Sequence, residues 1–522
     1  MDIIYFYQKD AIMSKPSKRS HREERKLLKR ERKKALKELR RRQASEGLVP
    51  TNQTSISNCK SQYETIEEEQ EARNKAVTEN VRIMRDRLPI LLKRLSKIPD
   101  PRNPKKTKHK LAVLMIYGIL TFVLHMSSRR EANREMSRPV FMNNLKLLFP
   151  ELEDLPHNDT LMRLLTRIDV NEIERAQIDL VNHLIRGKKF RRYLINGCYP
   201  LAIDGSQKFA RDCLWAEECL ERKVKVKEGE EPRKQYYVYV LEASLAFQNG
   251  MTIPVMTEFL SYAEGDTDTG KQDCEQKAFK RLAKRLKTAF PKLRFMVLLD
   301  GLYPKGPIME LISMNKWQYM IVLQDKSLPS VWEEYEGLRK LSPKNCHRRT
   351  WGKRKQYFEW VNDIEYYYGP NEKNKVVVRV VICKEEWEEV DKNSGKTIIK
   401  SSRHVWISSK PIHRFNIHER CNLGARHRWN IESGFLVEKH HGYQYEHCFS
   451  YNWNAMRGYH YLMRLGHTFN ILVQYSECLC KMFQEMGVRG FIQFIRQTLS
   501  GPWLDPSWVK QRLAAPFQLR LI

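Results

Sequence analysis

The sequence predicts an α/β protein in which a strand-and-helix core follows a helical N-terminal domain and is interrupted by a β-rich insertion. Three observations lead to this fold class. The pattern is helical from about residue 75 to 190, short apolar runs of the buried-strand type begin at residue 198, and three β-type runs fill residues 350–410. Hydrophobic residues make up 41% of the 522 positions, which is enough to bury a sizeable core.

These changes of pattern divide the chain into six segments. They are a basic arm and linker (1–62), a helical domain (63–190), the first part of the core (191–330), the β-rich insertion (331–412), the last part of the core (413–480) and a C-terminal tail (481–522). The core is therefore expected to assemble from two stretches of chain on either side of the insertion.

The N-terminal arm carries a concentrated positive charge. Residues 15–42 contain fifteen basic and four acidic residues, with leucines at loosely helical spacing. We predict that this arm is disordered alone and becomes helical along a phosphate backbone. A solvated arm without a specific partner is the alternative. Residues 46–62 are polar and turn-rich, which predicts a linker.

The helical domain contains one apolar run, residues 111–126, that raises the question of a membrane span. The run has 16 residues, whereas a span needs about 20. We therefore predict a helix buried on all sides in a soluble protein. Farther along, Asn158 or Asp159 is placed to cap a leucine-bearing helix.

The first part of the core reads strand, strand, strand, helix, strand, helix, strand. These elements are predicted at residues 199–204, 234–247, 251–260, 274–290, 293–300, 306–315 and 318–325. Three meander strands followed by parallel crossovers describe a ribonuclease H-like core.

The charge balance indicates a polyanionic partner. Lys and Arg number 93 against 62 acidic residues, for a net charge of +31. A field of this sign attracts nucleic acid, the commonest cellular polyanion. The 11 cysteines include no C-x2-C pair, so the sequence predicts free thiols in a reducing compartment and no zinc knuckle.

Two aspartates follow apolar runs in the predicted core. Asp204 follows the first strand and Asp300 the fourth, and each precedes a glycine. We expect each acid to lie at a strand end, with the glycine letting the backbone turn sharply beside it. For either aspartate alone, an Asx-turn at a strand terminus is the alternative interpretation.

A third acid lies on a helix that is predicted to begin near Ala425. At 100° per residue, Arg428, Glu432 and Lys439 share one face, and Tyr443 joins them if the helix continues. A carboxylate between two cations suits a site that binds phosphate. An ion pair between residues i and i+4 on a solvated face is the alternative.

Three carboxylates of this kind suit phosphodiester chemistry. Two Mg²⁺ ions about 3.5–4 Å apart activate a nucleophile, stabilise the leaving oxygen and compensate charge on phosphorus. Carboxylates are the hard oxygen ligands that such ions prefer. Acids on two neighbouring strands and on a packed helix would converge although they are remote in sequence.

The arrangement resembles a known family. The pattern Arg428-x3-Glu432-x6-Lys439, with AIDGS and LLDGLYP upstream and a β-rich insertion before the third acid, resembles the DDE transposases of bacterial insertion sequences. The similarity is to a divergent branch of the group with a Tyr-Arg-Glu-Lys signature. Ala425 stands where that signature has its tyrosine.

The resemblance covers about residues 199–470. It extends more loosely to DPRNP (100–104) and DTLMRLL (159–165). It implies a transposase that binds the ends of an insertion sequence and catalyses metal-dependent DNA cleavage and strand transfer. A ribonuclease H-like nuclease without strand transfer and a captured, non-catalytic DNA-binding derivative are the alternatives.

The resemblance also implies roles for individual residues. Asp204, Asp300 and Glu432 would hold two Mg²⁺ ions, with Mn²⁺ as a substitute. Arg428, Lys439 and Tyr443 would contact DNA phosphate. These side chains form the predicted catalytic site.

Partners and location follow from the same resemblance. The expected partner is double-stranded DNA, as terminal inverted repeats and as target DNA. A homodimer in the synaptic complex, the nucleoid of a bacterial cytoplasm and no membrane association are expected. The helical domain at residues 63–190 is the expected DNA-binding domain.

Tryptophans in the insertion are candidates for stacking on a flipped base, which the family associates with a hairpin intermediate. Cross-strand packing is the alternative for each of them. The residues are Trp351, Trp360, Trp387 and Trp406.

Overall fold

A computed structural model describes residues 18–48, 61–152, 154–224, 233–261 and 273–522. Most of the predicted linker, residues 49–60, and the first three residues of the basic stretch at 15–42 lie outside these ranges. The chain divides into two compact units. We call Ser55–Leu338, Asn362–Val380 and Trp406–Ile522 the core unit, and Met1–Thr54, Arg339–Val361 and Val381–Val405 the insert unit. The six segment boundaries drawn from the sequence stay predictions.

The described helices are α1 (Lys18–Ser45), α2 (Ile66–Leu95), α3 (Leu111–Val123), α4 (Arg129–Met136), α5 (Pro139–Leu148), α6 (Asn158–Leu165), α7 (Asn171–Arg186), α8 (Glu275–Ala289), α9 (Gly306–Met314), α10 (Pro329–Leu341), α11 (Asn430–His440), α12 (Trp453–Gln474), α13 (Cys480–Ser500) and α14 (Pro506–Ala514).

The described strands are β1 (Tyr199–Arg211), β2 (Leu220–Val224), β3 (Arg233–Ala246), β4 (Thr252–Leu260), β5 (Phe295–Leu299), β6 (Gln318–Val322), β7 (Cys346–Trp351), β8 (Arg354–Tyr368), β9 (Asn374–Val390) and β10 (Thr397–Ser408). Together with the helices they make the protein a mixed α/β structure with a large mixed sheet.

The predicted helical region is confirmed by α2 to α7 in the core unit. The apolar run forms α3, which is buried over most of its length and packs on α12. Glycines allow the close approach: a Cβ at Gly466 would lie 2.8 Å from Phe122 Cβ, and one at Gly118 would lie 2.7 Å from Leu462 Cδ1. None of the helices in the described ranges has the length and apolarity that crossing a membrane requires.

The start of α6 differs from the prediction. His157 is the N-cap, because its side chain accepts a hydrogen bond from the backbone amide of Asp159. Asn158 is the first helical residue. Neither Asn158 nor Asp159 caps the helix. Instead, the Asn158 side chain accepts a hydrogen bond from the hydroxyl of Tyr459 at 2.6 Å, and Asp159 pairs with Arg129 at 3.0 Å.

The sheet of the core unit mixes antiparallel and parallel strands. Its order is β2-β3-β1-β5-β6-β10, with β4 paired to β3. β1 pairs antiparallel with β3, and β3 pairs antiparallel with β4. The pairing of β1 with β5 and that of β5 with β6 are parallel. The predicted sequence of seven elements is confirmed. The additional strand β2 was not predicted, since it has five residues and four of them are exposed.

The insertion contributes four strands where three β-type runs were predicted. The first run holds a hairpin, in which β7 pairs antiparallel with β8 and Gly352 turns with φ +56°. Within the insert unit the strand order is β10-β9-β8-β7. The preceding helix α10 was not predicted.

The basic arm forms the long helix α1, which belongs to the insert unit. Near its C-terminal end Arg42 pairs with Glu388 of β9, and farther along the backbone of Arg32 lies close to Gly395. The expectation that the arm is disordered without nucleic acid is therefore wrong for residues 18–45. Contacts with strands more than 300 residues away supply order that the local charge pattern could not predict.

Candidate active site

Asp204 lies inside β1 and not at its end, which corrects the sequence prediction. β1 continues to Arg211 because β3 pairs with it along that length. Its other neighbour, β5, ends at Leu299, so Asp300 does follow a strand. The pairing of β1 with β5 therefore stops two residues before Asp204.

The register of the parallel pair brings the two aspartates together. Tyr199 pairs with Phe295, and the pairing continues to Ala202 with Leu298. Extended by two positions, this register places Asp204 level with Asp300, and strand alternation would direct both side chains to the same face. Asp300 Oδ1 accepts the backbone amide of Leu302 at 2.9 Å.

The glycines that follow the aspartates make room for other side chains. A Cβ at Gly205 would lie 2.5 Å from Glu275 Oε1, and one at Gly301 would lie 2.6 Å from Gln324 Nε2. Gly301 lies in a turn, as predicted, but Gly205 is extended within β1. The expected sharp turn after Asp204 is therefore wrong, and close packing explains that glycine instead.

Glu432 lies in the first turn of α11. Residues Ala425–Trp429 form a 3-10 helix, so the α-helix begins at Asn430, five residues later than predicted. Asn430 Nδ2 donates to the carbonyl of Phe247 at 2.8 Å, which fixes the start of α11 beside the end of β3. The helix packs along β1, the strand that carries Asp204.

Arg428 connects the helix to the strand. Its Nη2 donates to Glu432 Oε1 at 2.7 Å, and its Nη1 lies 3.6 Å from Asp204 Oδ2. The guanidinium is buried and lies 5.0 Å from the ring centroid of Trp429. The predicted proximity of Arg428 and Glu432 is confirmed; the arginine is buried, whereas the Glu432 side chain is 34% exposed.

Electrostatics indicate that the acids interact. Burial raises the pKa of Asp204 to about 6, against the opposing effects of Arg428 and the Gly205 amide. The charges of Glu432 and Asp300 also raise this pKa. Within the described ranges, no three Asp, Glu, His or Cys side chains are close enough to hold one metal ion as they stand.

Lys439 and Tyr443 have other partners in the structure. Lys439 Nζ is 3.3 Å from Glu446 Oε1, so it pairs with a different acid. Tyr443 is 1% exposed, and its hydroxyl accepts a hydrogen bond from Asn470 at 2.9 Å. In this structure a phosphate would have no access to that hydroxyl, because the chain turns after His440 and carries Tyr443 into the core.

A buried ionic network holds α11 against the sheet, and the sequence analysis did not find it. Glu438 of α11 accepts Arg464 Nη1 at 2.8 and 3.0 Å and lies 2.6 Å from His467 Nδ1. Arg464 Nη2 is also 3.2 Å from Glu242, which faces Asp204 across the β1–β3 pair. These residues are far apart in sequence and have no shared motif, so no local signal could have revealed them.

The tryptophans of the insertion mostly have packing roles. Trp360 is 6% and Trp406 is 3% exposed. The guanidinium of Arg354 lies 3.8 Å from the ring centroid of Trp387. For these three, the structure favours packing over base stacking.

Comparison with known families adds one finding. Residues 92–181 match the family model described as DDE_Tnp_1-associated. The match indicates a DDE-type transposase context. It runs from the end of α2 into α7, and it includes both DPRNP and DTLMRLL, whereas Asp204, Asp300 and Glu432 lie beyond it. No curated protein matches the chain.

Proposed function

We propose that the chain is a transposase that binds the ends of an insertion sequence and cuts and joins DNA strands. Asp204, Asp300 and Glu432 are its catalytic acids. The observation that carries the proposal is the parallel register that makes Asp204 and Asp300 level, with Glu432 tied to Asp204 through Arg428. The family match in the preceding helices supports the same reading.

The strand order supports a ribonuclease H-like core. Three antiparallel strands, β4-β3-β1, are followed by the parallel strands β5 and β6 in one sheet. The helices α8 and α9 lie in the two chain segments that lead into β5 and β6. In this arrangement the acids lie on the two central strands and on a helix that packs on the first of them.

The three acids suit divalent cations in their chemistry. They offer only hard carboxylate oxygens, which Mg²⁺ and Mn²⁺ favour. The raised pKa of Asp204 reflects burial and mutual repulsion, and bound cations would relieve that repulsion. Arg428 supplies part of the compensating charge in the chain alone. Two bound ions would activate the nucleophile and stabilise the leaving oxygen.

The chain's own residues bind and orient DNA. Arg428 keeps two buried guanidinium nitrogens, Nε and Nη1, without a hydrogen-bond partner among the described residues, so they become donors to a phosphate oxygen only if the side chain moves when DNA binds. Lys439, on the same helix, adds a second cation. Tyr443 is buried and has no part in this contact. Double-stranded DNA is the substrate, and a homodimer would bring two ends together.

Replacement of Glu432 by Gln tests the proposal. The wild-type chain should nick duplex DNA that carries the flanks of its own gene when Mg²⁺ is present, and Glu432→Gln should bind the same DNA without cutting it. Glu477→Gln is the matched control, because that acid is exposed and pairs with Arg520, which has no part in the proposed site. It should cut like the wild type.

The products separate the alternatives. Strand-transfer products that join an end to target DNA identify a transposase, whereas cleavage without joined products identifies a nuclease. A captured DNA-binding derivative would bind DNA and show no metal-dependent cleavage in the wild-type chain. Either of the last two results would overturn the proposal.

A further inference from the structure

A cavity of about 660 Å³ lies at the C-terminal end of α11, the helix that carries Glu432. Its walls are the segment from His125 to Arg138, the end of α11 with the turn that follows, and α13, all within the core unit. Glu432 is in the first turn of α11 and His440 is its last residue, so about 12 Å of helix axis separates them. The cavity is therefore distinct from the candidate active site, although both use α11.

The wall supplied by α13 is a polar helix face. Its residues recur at intervals of three and four, the spacing of one side of a helix. They are Arg489, Ile492, Gln493, Arg496, Gln497 and Ser500. The other side of α13 packs inward, with Phe491, Ile495 and Leu499 buried. Apart from the buried Ile492, this face presents only side chains that can donate a hydrogen bond.

Positive charge exceeds negative charge along the lining. The titratable lining residues are Arg138, Arg489, Arg496, His125, His440, His441 and Glu135. Glu135 pairs with Arg138 at 3.2 Å. Arg496 pairs at 2.6 Å with Glu131, which lies outside the lining. Arg489 is exposed, and among the described residues its side chain has no ion pair and no hydrogen bond, so its charge is uncompensated.

The start of a helical segment adds to the charge near Arg489. Within α13, Gly487 has φ +69° and ψ 167°, so the regular helix restarts at Val488. Arg489 thus lies in the first turn of the segment that runs to Ser500. The positive end of the helix dipole lies in that turn and attracts anions.

The pKa values of two lining histidines reflect the same excess of positive charge. Burial lowers the pKa of His125 to about 3, and nearby histidines and arginines, including Arg489, lower it further. Burial also lowers the pKa of His441, and Arg489 and His440 add to the effect. The rings of His125 and His441 are therefore neutral at pH 7, and the arginines carry the positive charge of the cavity.

A phosphate group fits this lining. Guanidinium groups form charge-assisted hydrogen bonds with phosphate oxygens, and amide and hydroxyl donors add neutral ones. Arg489, Gln493 and Gln497 are exposed, so one phosphate of a nucleic-acid strand can enter while the rest of the strand stays outside.

We propose that the cavity binds a phosphate of the DNA backbone, other than the phosphate that is cut, mainly through Arg489 and Gln493. These two side chains are neighbours on α13, one helical turn apart. The inference rests on the proposed function for its choice of DNA over free inorganic phosphate, which shares the same chemistry. The distance along α11 from Glu432 to the cavity is the reason that a second phosphate is involved.

Arg489→Gln is the main test, because it removes the charge of an exposed side chain. Binding to duplex DNA that carries the flanks of the gene is measured with a chelator present, over a range of salt concentrations. The slope of log affinity against log salt concentration should fall by about 0.9, and affinity at about 0.1 M salt should fall about 5-fold to 10-fold. Arg294→Gln is the matched control and should leave the slope unchanged. Arg294 is exposed and precedes β5, at the opposite end of that strand from Asp300.

A second variant adds a negative charge to the cavity. Gln493→Glu would place a carboxylate beside the phosphate and should weaken DNA binding at least about fivefold through like-charge repulsion. Gln484→Glu makes the same change of net charge on α13, before Gly487 and outside the lining, and should bind DNA within about twofold of wild type. Thermal unfolding is followed for each variant, and binding is compared well below the lowest midpoint.

Uncharged linkages identify the phosphate that is bound. One methylphosphonate linkage is moved along each strand of the DNA, and affinity is measured for wild type and Arg489→Gln at every position. At the contacted position the wild type should lose affinity, whereas Arg489→Gln should lose little more, because the pair is already broken. That position should differ from the linkage that is cut.

The outcomes separate this inference from the proposed function. An unchanged salt slope in Arg489→Gln overturns the inference and leaves the proposed function standing. A lower slope without any coupled linkage also overturns it, because the arginine would then act only through the general field of the protein. Stabilisation of wild type, but not of Arg489→Gln, by inorganic phosphate, with equal DNA binding by both, would show that free phosphate is the ligand and would overturn it as well. A wild-type chain that binds DNA as inferred but never cleaves it overturns the proposed function alone, and a chain that does not bind DNA overturns both.

Discussion

Arg428 Nη2 lies 2.7 Å from Glu432 Oε1, while Nη1 of the same guanidinium lies 3.6 Å from Asp204 Oδ2. One buried cation therefore joins the acid of α11 to the acid of β1. Two of its nitrogens have no hydrogen-bond partner within the described ranges, an unusual state for a buried group. A single guanidinium therefore compensates two carboxylates, and Asp204 keeps a raised pKa.

Asp204→Asn should stabilise the metal-free protein at neutral pH. The pKa of Asp204 is raised from 3.8 to about 6 in the folded protein. The protonated carboxyl therefore contributes to stability below pH 3.8, and this contribution is lost as the pH rises through about 6. The shift corresponds to at most about 3 kcal/mol. In urea unfolding with a chelator, the variant should exceed wild type by about 1–3 kcal/mol at pH 7.5 and by little near pH 4. An equal difference in the free energy of unfolding between variant and wild type at both pH values would contradict this account.

Glu438→Gln should destabilise the fold strongly. Burial alone would raise the pKa of Glu438, but Arg464 and His467 outweigh it and hold the pKa at about 2. The contribution of the ionised Glu438 to stability is present above pH 4.5 and is lost as the pH falls through about 2. At pH 7 the variant leaves the buried guanidinium of Arg464 short of a partner, which costs about 3–5 kcal/mol in the free energy of unfolding.

Glu446→Gln is the matched comparison for Glu438→Gln. Glu446 pairs with Lys439 near the protein surface, where an ion pair contributes less than about 1 kcal/mol. Equal effects of the two substitutions would show that the buried network does not hold α11 in place.

Gly466→Ala should weaken the contact between α3 and α12. The added methyl would meet Phe122 Cβ at 2.8 Å and the Val123 backbone nitrogen at 3.2 Å, so α3 must shift. The expected loss in free energy of unfolding is about 1–3 kcal/mol. Gly337→Ala, on the exposed side of α10, should instead stabilise the protein by about 0.4–1 kcal/mol. Gain of stability in both variants would mean that α3 and α12 are not closely packed.

Removal of α1 should make DNA binding less sensitive to salt. The helix carries fourteen basic and four acidic residues between positions 18 and 45. Each phosphate contact contributes nearly one unit to the slope of log affinity against log salt concentration. Deletion of residues 1–48 should lower that slope by about 3 units or more. An unchanged slope would show that α1 serves the insert unit alone.

Local patterns were sufficient to predict the elements of the core. The apolar runs before Asp204 and Asp300 predicted two buried strands and their order along the chain. The level placement of the two acids depends on the register of β1 with β5, which was not predicted. The course of β1 beyond Asp204 did not follow, because it depends on pairing with β3. The charge pattern of residues 18–45 likewise did not predict that α1 would be an ordered helix in contact with residues of the insertion.

The supporting residues of the candidate site were beyond sequence reasoning. Glu438 lies six positions after Glu432, on another face of the same helix, and its partner Arg464 comes from α12. Such contacts depend on how helices and strands pack together, and this packing cannot be predicted from a single sequence.

A change of metal preference tests the central claim most directly. In Asp300→Cys a soft thiolate replaces one hard carboxylate, so Mg²⁺ should be held poorly while Mn²⁺ is still accepted. Cleavage of DNA carrying the element ends, followed for wild type and variant with each metal, is the measurement. The account predicts that the variant is inactive with Mg²⁺ and partly restored by Mn²⁺. Wild-type activity of Asp300→Cys with Mg²⁺ would contradict it, because Asp300 would then bind no catalytic ion.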